Sequence, residues 1–223
     1  MVERAELLPV ERCSAVCPLC QSLEADATPG ADSRRYYRCR NCELIFVDVR
    51  DRISELEQRE HYLTHENGPH QAGYVAFLRR VVDPMLAHLD ATMVGLDYGC
   101  GPGPAIAAIL QPYSIGCTNY DPLFANEPLT PPYDYIFATE CFEHFEAPGE
   151  EIRRLHGLLR TGGHLGIMTE PWTTLKAFQS WYYTRDPTHV VFYHARTFEY
   201  LCKELGFARR PVSDARVVIL RKL

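Results

Sequence analysis

Three glycines and one aspartate carry the clearest chemical signal in the sequence. Gly99, Gly101 and Gly103 follow a short apolar run and precede Pro104, a residue suited to the first position of a helix. A strand, a glycine-rich turn and a helix start together bring bare backbone N–H groups against a ligand. Asp121 lies about 20 residues further on, where a nucleotide-binding turn is expected to have an acid for the ribose hydroxyls. The pattern predicts a cofactor that contains a nucleoside.

The residues from Asp97 to Gly103 resemble motif I of the class I S-adenosylmethionine-dependent methyltransferases, an acid two residues before G-x-G-x-G. The NAD-type fingerprint G-x-G-x-x-G has its third glycine one residue later, where this chain has Pro104. The resemblance extends over residues 93–223 and implies a methyltransferase enzyme that uses S-adenosylmethionine. The cofactor-binding residues that it implies are Asp97, Gly99, Gly101, Gly103, Asp121 and Glu140.

A second group of polar residues follows the fourth strand of this family's usual count. Glu140, Glu143, His144 and the later His189 are similar to the metal site of small-RNA 2′-O-methyltransferases and to the acid-acid-histidine motif of ubiquinone-pathway O-methyltransferases. This resemblance implies four ligands for a divalent metal. It is partial, because the RNA enzymes have Pro-Asn after the fifth strand, whereas residues 170–172 here are Glu-Pro-Trp. Alternatively, Glu143 and His144 are helix-start polar groups bonded to backbone, and His189 contacts the substrate or acts as the base.

These groups suit methyl transfer, which is an in-line displacement on an already activated carbon. The protein must align the nucleophile and remove its proton, so Glu143, His144 and His189 are the predicted catalytic residues. A divalent ion would chelate two neighbouring oxygens of a diol or catechol and lower the pKa of one of them. Mixed oxygen and nitrogen ligands favour Mn²⁺, Fe²⁺, Co²⁺ or Zn²⁺ over Mg²⁺. Without a metal, His144 or His189 is the base, because histidine titrates near neutrality.

Four cysteines near the N-terminus have the spacing of a structural zinc site. Cys17 and Cys20 form one C-x2-C pair, and Cys39 and Cys42 form another across residues 21–38. The spacing predicts four thiolates on one Zn²⁺, with the metal supplying the folding free energy of a segment too polar to form a core. Redox-active cysteines, or pairs that hold no metal, are the alternatives. Cys13 is an alternative ligand to Cys17.

Between the cysteine pairs, residues 33–40 contain four arginines and two tyrosines, a combination that can grip phosphates and stack on bases. The alternative is a solvated strand of a zinc ribbon. The balance of seven Arg against eight Asp and Glu in residues 1–50 favours this alternative. The net charge of −6 also argues against a general nucleic-acid binder.

Hydrophobic spacing, read with the resemblance, predicts an α/β fold: a Rossmann-like doubly wound sheet with a terminal antiparallel hairpin. Only 11 residues separate Asp121 from Tyr133, too few for a helix, a strand and a second helix, so we expect a trimmed class I methyltransferase fold. The predicted organisation is a zinc ribbon over residues 1–50, a linker with capping helices over 51–92, and the S-adenosylmethionine-binding domain over 93–223.

Two helix interruptions and two side-chain clusters complete the predictions. Pro84 is expected to divide the helical pattern of residues 71–89, and two glycines at 162–163 are expected to end the helix that begins at Pro148. Three histidines surround a turn and predict a lid or a polar loop; they are His61, His65 and His70. Aromatic residues after the fifth strand predict a pocket wall, with Phe178 and Phe192 in the core; they are Trp172, Phe178, Trp181, Tyr182, Tyr183, Phe192 and Tyr193.

The composition is typical of a globular protein, with 46% hydrophobic and 23% charged residues. No apolar run reaches the ~20 residues of a membrane span, so we expect a cytoplasmic protein without a membrane partner. The sequence predicts a methyltransferase that acts on an oxygen of a small molecule. An RNA or tRNA methyltransferase that grips its substrate with the ribbon, and a non-catalytic S-adenosylmethionine-binding module, are the alternatives. No pattern indicates the acceptor or the oligomeric state.

Overall fold

The computed structural model describes residues 15–64 and 67–223 of the chain, which fold into two sheets and six α-helices. The strands are β1 (Ala25–Thr28), β2 (Tyr36–Cys39), β3 (Ile45–Val47), β4 (Val94–Tyr98), β5 (Gly116–Tyr120), β6 (Tyr133–Thr139), β7 (Leu159–Met168), β8 (Val191–Phe192), β9 (Phe207–Arg210) and β10 (Val217–Lys222). The helices are α1 (Glu55–Leu63), α2 (Ala72–Leu86), α3 (Ile106–Leu110), α4 (Pro148–Leu158), α5 (Leu175–Phe178) and α6 (Ala195–Leu205). Short 3-10 helices lie at Val49–Asp51, Gln111–Tyr113, Phe142–His144 and Tyr182–Arg185. Across the described ranges, no helix combines the length and the apolar character that crossing a bilayer requires.

The larger sheet has the strand order β5-β4-β6-β7-β10-β9. Its first four strands are parallel, and β9 and β10 form an antiparallel hairpin that pairs with β7. This arrangement confirms the Rossmann-like sheet with a terminal hairpin. Between β5 and β6, residues 121–132 contain only an isolated bridge from Asp121 to Ala125, so β5 is the edge strand and the fold is trimmed as expected.

Helices cover both faces of this sheet. On one face α2 and α3 pack their apolar residues against the sheet, for example Leu78, Val82 and Ile109 around Phe137. On the other face α4 and α6 pack in a core that also contains residues of the N-terminal cysteine-rich segment. Because helices cover both faces of the sheet, a ligand can reach it at the edge formed by the loops that follow the parallel strands.

Both predicted helix interruptions are wrong. Helix α2 runs through Pro84, which lies in the last turn, where the missing N–H of proline costs a single hydrogen bond. Helix α4 already ends at Leu158, and β7 begins at Leu159 and includes both glycines. At Gly163 a β-carbon would lie 2.7 Å from the backbone oxygen of Asp134 on the neighbouring strand, so the glycine serves close strand packing rather than a helix stop.

The smaller sheet joins the N-terminal segment to the rest of the chain. It is antiparallel with the order β1-β2-β3-β8, and β8 comes from residues that follow the long connection after β7. Ile45 pairs with Phe192, and the ring of Tyr36 packs on Phe178 and Phe192 with centroid distances of 5.4 and 6.0 Å. The ribbon and the methyltransferase-like part therefore share a hydrophobic cluster.

Candidate active site

A cleft of about 900 Å³ lies at the carboxyl ends of the parallel strands. The glycine loop of residues 99–103 and the segment 121–124 line one part of it. Residues 139–147, together with side chains from the connection after β7, line another part. This is the edge at which open α/β sheets bind ligands, and the volume suits a small molecule beside a nucleoside.

The N–H groups of the glycine loop are not all bare, contrary to the sequence prediction: those of Gly99, Cys100 and Gly101 have acceptors within the protein. Gly99 and Gly101 have φ values of +78° and +63°, which side chains strongly disfavour. The N–H groups of Gly99 and Cys100 donate to the carbonyl of Tyr120 on β5 at 2.8 and 3.1 Å. At Gly103 a β-carbon would lie 1.9 Å from the backbone oxygen of Asn67, so the backbone of residues 67–68 packs directly on this glycine.

Asp121 is held by backbone N–H groups at the end of β5. Its Oδ2 accepts a hydrogen bond from Gly101 at 3.0 Å, and its Oδ1 accepts from Leu123 at 2.9 Å and Phe124 at 3.2 Å. These bonds aim the carboxylate at the glycine loop. The carboxylate therefore stabilises the glycine loop.

Asp97 is a buried carboxylate with an unpartnered oxygen. The residue is 2% exposed, and among residues 15–64 and 67–223 its Oδ1 has no hydrogen-bond partner. Burial, and then the negative charge of Asp121, raise the pKa of Asp97 to about 7. Tyr98, the next residue, lines the cleft, whereas Asp97 itself does not. A buried acid without a partner, one residue from the cleft, is suited to a positively charged group of a ligand.

Glu143, His144 and His189 converge in the same cleft. One ligand atom from each lies within 4.8 Å of the others. Fully buried Glu143 accepts the hydroxyl of Tyr183 at 2.5 Å, and its second oxygen has no partner among the described residues. The Nδ1 atoms of His144 and His189 face the carbonyls of Thr188 and Tyr183 at 3.1 and 2.7 Å. A ring nitrogen that faces a carbonyl carries the proton, so both Nε2 atoms keep a lone pair.

This cluster is suited either to bind a metal or to accept a proton. Two imidazoles and one carboxylate match the donor preferences of Mn²⁺, Fe²⁺, Co²⁺ and Zn²⁺. Burial and the neighbouring His144 lower the pKa of His189, which keeps its imidazole neutral at neutral pH. Glu143 and His144 come from the 3-10 helix after β6, and His189 comes from the loop before β8.

Glu140 lies beside this cluster but outside it. Its carboxylate is 3.8 Å from the Arg216 guanidinium, and its second oxygen, Oε1, has no partner among the residues described. Burial, and then the charge of Glu143, raise the pKa of Glu140 to about 9. Its backbone has a positive φ of +47° and donates to Met168 at 2.7 Å, which turns the chain sharply as it leaves β6. Backbone strain of this kind is common at functional sites.

Helix α1 contributes site residues that sequence patterns did not indicate. The ring of Tyr62 packs edge-on against His144 with a centroid distance of 5.3 Å. His61 Nε2 lies 3.2 Å from the Asp186 carboxylate. Of the three predicted lid histidines, His61 contacts the cleft residue Asp186 without lining the cleft itself, His70 is exposed, and His65 lies outside the described residues. No periodic pattern or motif in the sequence indicates Tyr62, because its contact with His144 joins residues that are far apart in the chain.

The aromatic residues after β7 divide between core and cleft. Phe178 and Phe192 are buried in the core, as expected. Only Tyr182 and Tyr183 of the seven predicted residues line the cleft. The remaining three rings at positions 172, 181 and 193 pack in the hydrophobic clusters, so the predicted aromatic wall is largely wrong. Tyr74 and Phe77 on α2 line the cleft in addition.

The four predicted zinc ligands meet in the ribbon. Their sulfur atoms lie within 4.8 Å of one another, with Cys17 and Cys42 at 3.6 Å and Cys20 and Cys39 at 3.4 Å. Sulfurs on one tetrahedral Zn²⁺ are roughly 3.8 Å apart, given a Zn–S bond of about 2.3 Å. The residue after each pair, at positions 21 and 43, has a φ near +60°, so both pairs form the same type of turn. Cys13, the alternative ligand, lies outside the described residues.

Each of the four arginines in residues 33–40 pairs with a carboxylate. Arg34 pairs with Asp32, Arg35 with Asp51, Arg38 with Glu43 and Arg40 with Asp26. Three of these guanidinium groups stay within the ribbon and its neighbouring turn. Arg34 also reaches the loop that carries His189.

Residues 70–211 match the family model described as "Methyltransferase domain". The chain belongs to this methyltransferase family. Its fold is similar to solved class I methyltransferases at low sequence identity. An O-methyltransferase family protein from Burkholderia thailandensis matches with a TM-score of 0.53 and 15% identity, over 75% of this chain and 60% of that protein.

Two further structures have the same fold. Magnesium protoporphyrin IX methyltransferase from Synechocystis PCC 6803, with bound S-adenosylhomocysteine, matches with a TM-score of 0.52 and 14% identity, over 76% of this chain and 95% of that one. An O-methyltransferase family 2 protein from Planctomyces limnophilus, in complex with apigenin, matches with a TM-score of 0.51 and 13% identity, over 77% and 62%. No curated protein matches the sequence.

Proposed function

We propose that this methyltransferase takes a methyl group from S-adenosylmethionine and transfers it to a hydroxyl oxygen of a small molecule, with a divalent metal bound by Glu143, His144 and His189. One observation carries the proposal. The three ligand atoms lie within 4.8 Å of one another and open on the same cleft as the glycine loop. Glu140 lies beside Arg216, so the proposed metal site has three protein ligands instead of the four implied by the resemblance.

The cofactor part of the proposal is supported by the charges around the glycine loop. S-adenosylmethionine carries a sulfonium and an ammonium group, and the unpartnered oxygen of Asp97 is a buried acceptor suited to such a cation. Asp121 presents its carboxylate beside Gly101, at the position expected for the ribose. The magnesium protoporphyrin IX methyltransferase of similar fold holds S-adenosylhomocysteine. The cofactor would supply an electrophilic methyl group.

The charges of the cleft favour a neutral or cationic acceptor over RNA. Two guanidinium groups line it, those of Arg154 and Arg216. Seven carboxyl groups line it as well, and they belong to Glu55, Asp121, Glu140, Glu143, Glu146, Glu151 and Asp186. A phosphate backbone would be repelled by this excess, and every arginine at positions 34–40 already has an acidic partner. A small molecule without anionic groups is therefore the proposed substrate class.

The residues of the cluster would orient the acceptor and take its proton. Glu143 is fixed by Tyr183, and each imidazole is fixed by a backbone carbonyl, so the free donor atoms keep a defined direction. A bound divalent ion would lower the pKa of the acceptor hydroxyl. A neutral His189 is the proton acceptor where it is not a ligand. Tyr62 covers His144 and keeps water away from it.

We also propose that the four cysteines bind a structural Zn²⁺. The separations of their sulfur atoms and the paired turns support a closed tetrahedral site with no open position for a substrate. The metal would fix the ribbon, which packs on the segment that carries His189.

Transfer of a radiolabelled methyl group from S-adenosylmethionine to a panel of acceptors tests the function. The panel contains catechols, simple alcohols and short RNAs, each assayed with and without added Mn²⁺. We expect methylation of a neutral hydroxyl compound that rises with Mn²⁺ and is lost in Glu143→Gln. The control is Glu151→Gln, which changes another cleft glutamate that accepts a tyrosine hydroxyl. Methylation of RNA alone, or Mn²⁺-dependent activity that persists in Glu143→Gln, would overturn the proposal.

A further inference from the structure

Arg34 is a ribbon residue whose side chain reaches the proposed active site. It precedes β2, and its side chain is only 12% exposed. Its Nε donates to Asp32 at 2.9 Å, and its Nη1 donates to the carbonyls of His189 at 3.0 Å and Pro187 at 3.4 Å. Its Nη2 donates to the carbonyls of Asp186, at 3.5 Å, and Thr184. One guanidinium thus binds four carbonyls of a single loop.

This loop, residues 184–189, carries two groups that face the cleft. Asp186 bonds to His61 on the covering helix α1, and it also accepts the backbone N–H of Thr188 at 2.9 Å. His189 is one of the three residues that converge around Glu143. The loop begins in the last two residues of the 3-10 helix Tyr182–Arg185 and ends just before the two-residue strand β8, so residues 186–189 have no helix or strand of their own to hold them. The arginine supplies bonds that a helix or sheet would otherwise provide.

The other three arginines in residues 33–40 do not reach this loop. Arg35 binds Asp51, Arg38 binds Glu43 and Arg40 binds Asp26, each through two nitrogen atoms. Arg34 differs because its contacts span 150 to 155 residues of sequence. Arg34 therefore joins two distant parts of the chain, whereas the other three arginines form local ion pairs.

We propose that Arg34 is a positioning residue that fixes the 184–189 loop and thereby aims His189 into the cleft. Its hydrogen bond to the His189 carbonyl, together with the bond from His189 Nδ1 to Tyr183, sets both the backbone and the ring of this histidine. The catalytic meaning of this role rests on the proposed function, whereas the structural role does not depend on it. The ribbon thus contributes to the active site by supporting this loop instead of by gripping a substrate.

The test compares Arg34→Ala with Arg35→Ala in the full chain, after zinc content and melting temperature show that both are folded. Hydrogen exchange of peptides over residues 184–190 should become roughly tenfold faster or more in Arg34→Ala, because charge-assisted bonds are lost. Nuclear magnetic resonance of the His189 ring should show a change from one tautomer to a mixture. Millimolar guanidinium chloride should reverse both changes by filling the space left by the side chain. Equal behaviour of the two variants would overturn the proposal.

A second variant and a metal probe keep the two proposals separate. If Arg34→Ala does not fold, Arg34→Lys replaces it, because lysine keeps the charge but offers fewer directed donors; unchanged exchange in this variant rejects the role of Arg34. Mn²⁺ affinity should fall about 10- to 100-fold in Arg34→Ala, as is usual when support for a ligand is removed. If the wild type binds no Mn²⁺, the metal part of the proposed function fails, and the exchange and tautomer measurements still decide the role of Arg34.

Discussion

Without metal, the Glu143→Gln variant should be more stable than the wild type. With metal added, the wild type should be the more stable of the two. Glu143 is fully buried, and one of its carboxylate oxygens has no partner among the residues described. Without metal, this unpartnered oxygen destabilises the fold. Glutamine has the same shape and can still accept the Tyr183 hydroxyl, so Glu143→Gln replaces the unpartnered oxygen by an amide nitrogen and keeps this contact.

The size of the effect follows from general values. Replacing the unpartnered oxygen by an amide nitrogen, which faces the ring nitrogens of two histidines, should stabilise the metal-free variant by about 1–2 kcal/mol. In a chain of this length each kcal/mol raises the melting temperature by about 2–4 °C. With Mn²⁺ at a hundred times its dissociation constant, the wild type should gain about 2.7 kcal/mol, which exceeds the advantage of the variant. The wild type should then melt at the higher temperature.

Thermal melts with and without Mn²⁺ measure this reversal, and Mn²⁺ is chosen because it does not compete for thiolate ligands. Glu151→Gln is the matched control, since Glu151 also accepts a tyrosine hydroxyl in the cleft but lies outside the metal cluster. It should show no reversal. If Glu143→Gln melts below the wild type in both conditions, Glu143 is a structural hydrogen-bond acceptor and the metal reasoning fails.

Four further predictions concern the cofactor site and the ribbon. The affinity for S-adenosylmethionine should rise with pH through about 7 as Asp97 ionises, and calorimetry on Asp97→Asn should show a flat profile. The same raised pKa means that the stability of the free protein falls as pH rises from about 4 to 7, and denaturant titrations should show a smaller fall in Asp97→Asn. Gly103→Ala should displace Asn67, which its β-carbon would meet at 1.9 Å, and should speed hydrogen exchange in residues 67–73, unlike Gly157→Ala, whose β-carbon would meet nothing within 4 Å. Cys42→Ser should lose the bound zinc, as elemental analysis would show, with a lower melting temperature.

The cofactor side of the cleft could be predicted from the sequence because its residues follow two strands that are consecutive in this part of the chain. Asp97 and the glycines follow one strand, and Asp121 follows the next, so strand order alone brings them together. The trimmed edge was also predictable, since the short segment between β5 and β6 has no room for another strand. The same local reasoning failed at Pro84 and Gly163, where a single residue type was taken as a stop signal although tertiary packing determined the structure.

The acceptor side was only partly predictable because its residues come from separate parts of the chain. Glu143 and His189 were indicated by a resemblance, but nothing in the sequence indicated that Tyr183 would bind Glu143 or that Arg34 would hold the His189 loop. Tyr62 on α1 carries no pattern either, since it faces the site from a helix with few buried residues. These contacts depend on how the ribbon and α1 pack on the sheet, and sequence spacing does not contain that information.

The shared core of the ribbon and the sheet leads to a last prediction about domain organisation. The ribbon residues Tyr36, Ile45 and Val47 pack in one cluster with Phe178 and Phe192 from the far side of the chain. A fragment of residues 67–223, which keeps α2, would expose the two phenylalanines and leave β8 without its only partner strand among the described residues. We expect this fragment to lack fixed tertiary structure, with weak near-ultraviolet circular dichroism, whereas the full chain gives a strong signal. A well-folded fragment would show that the ribbon is a separate domain, and it would also weaken the argument that Arg34 supports the active site.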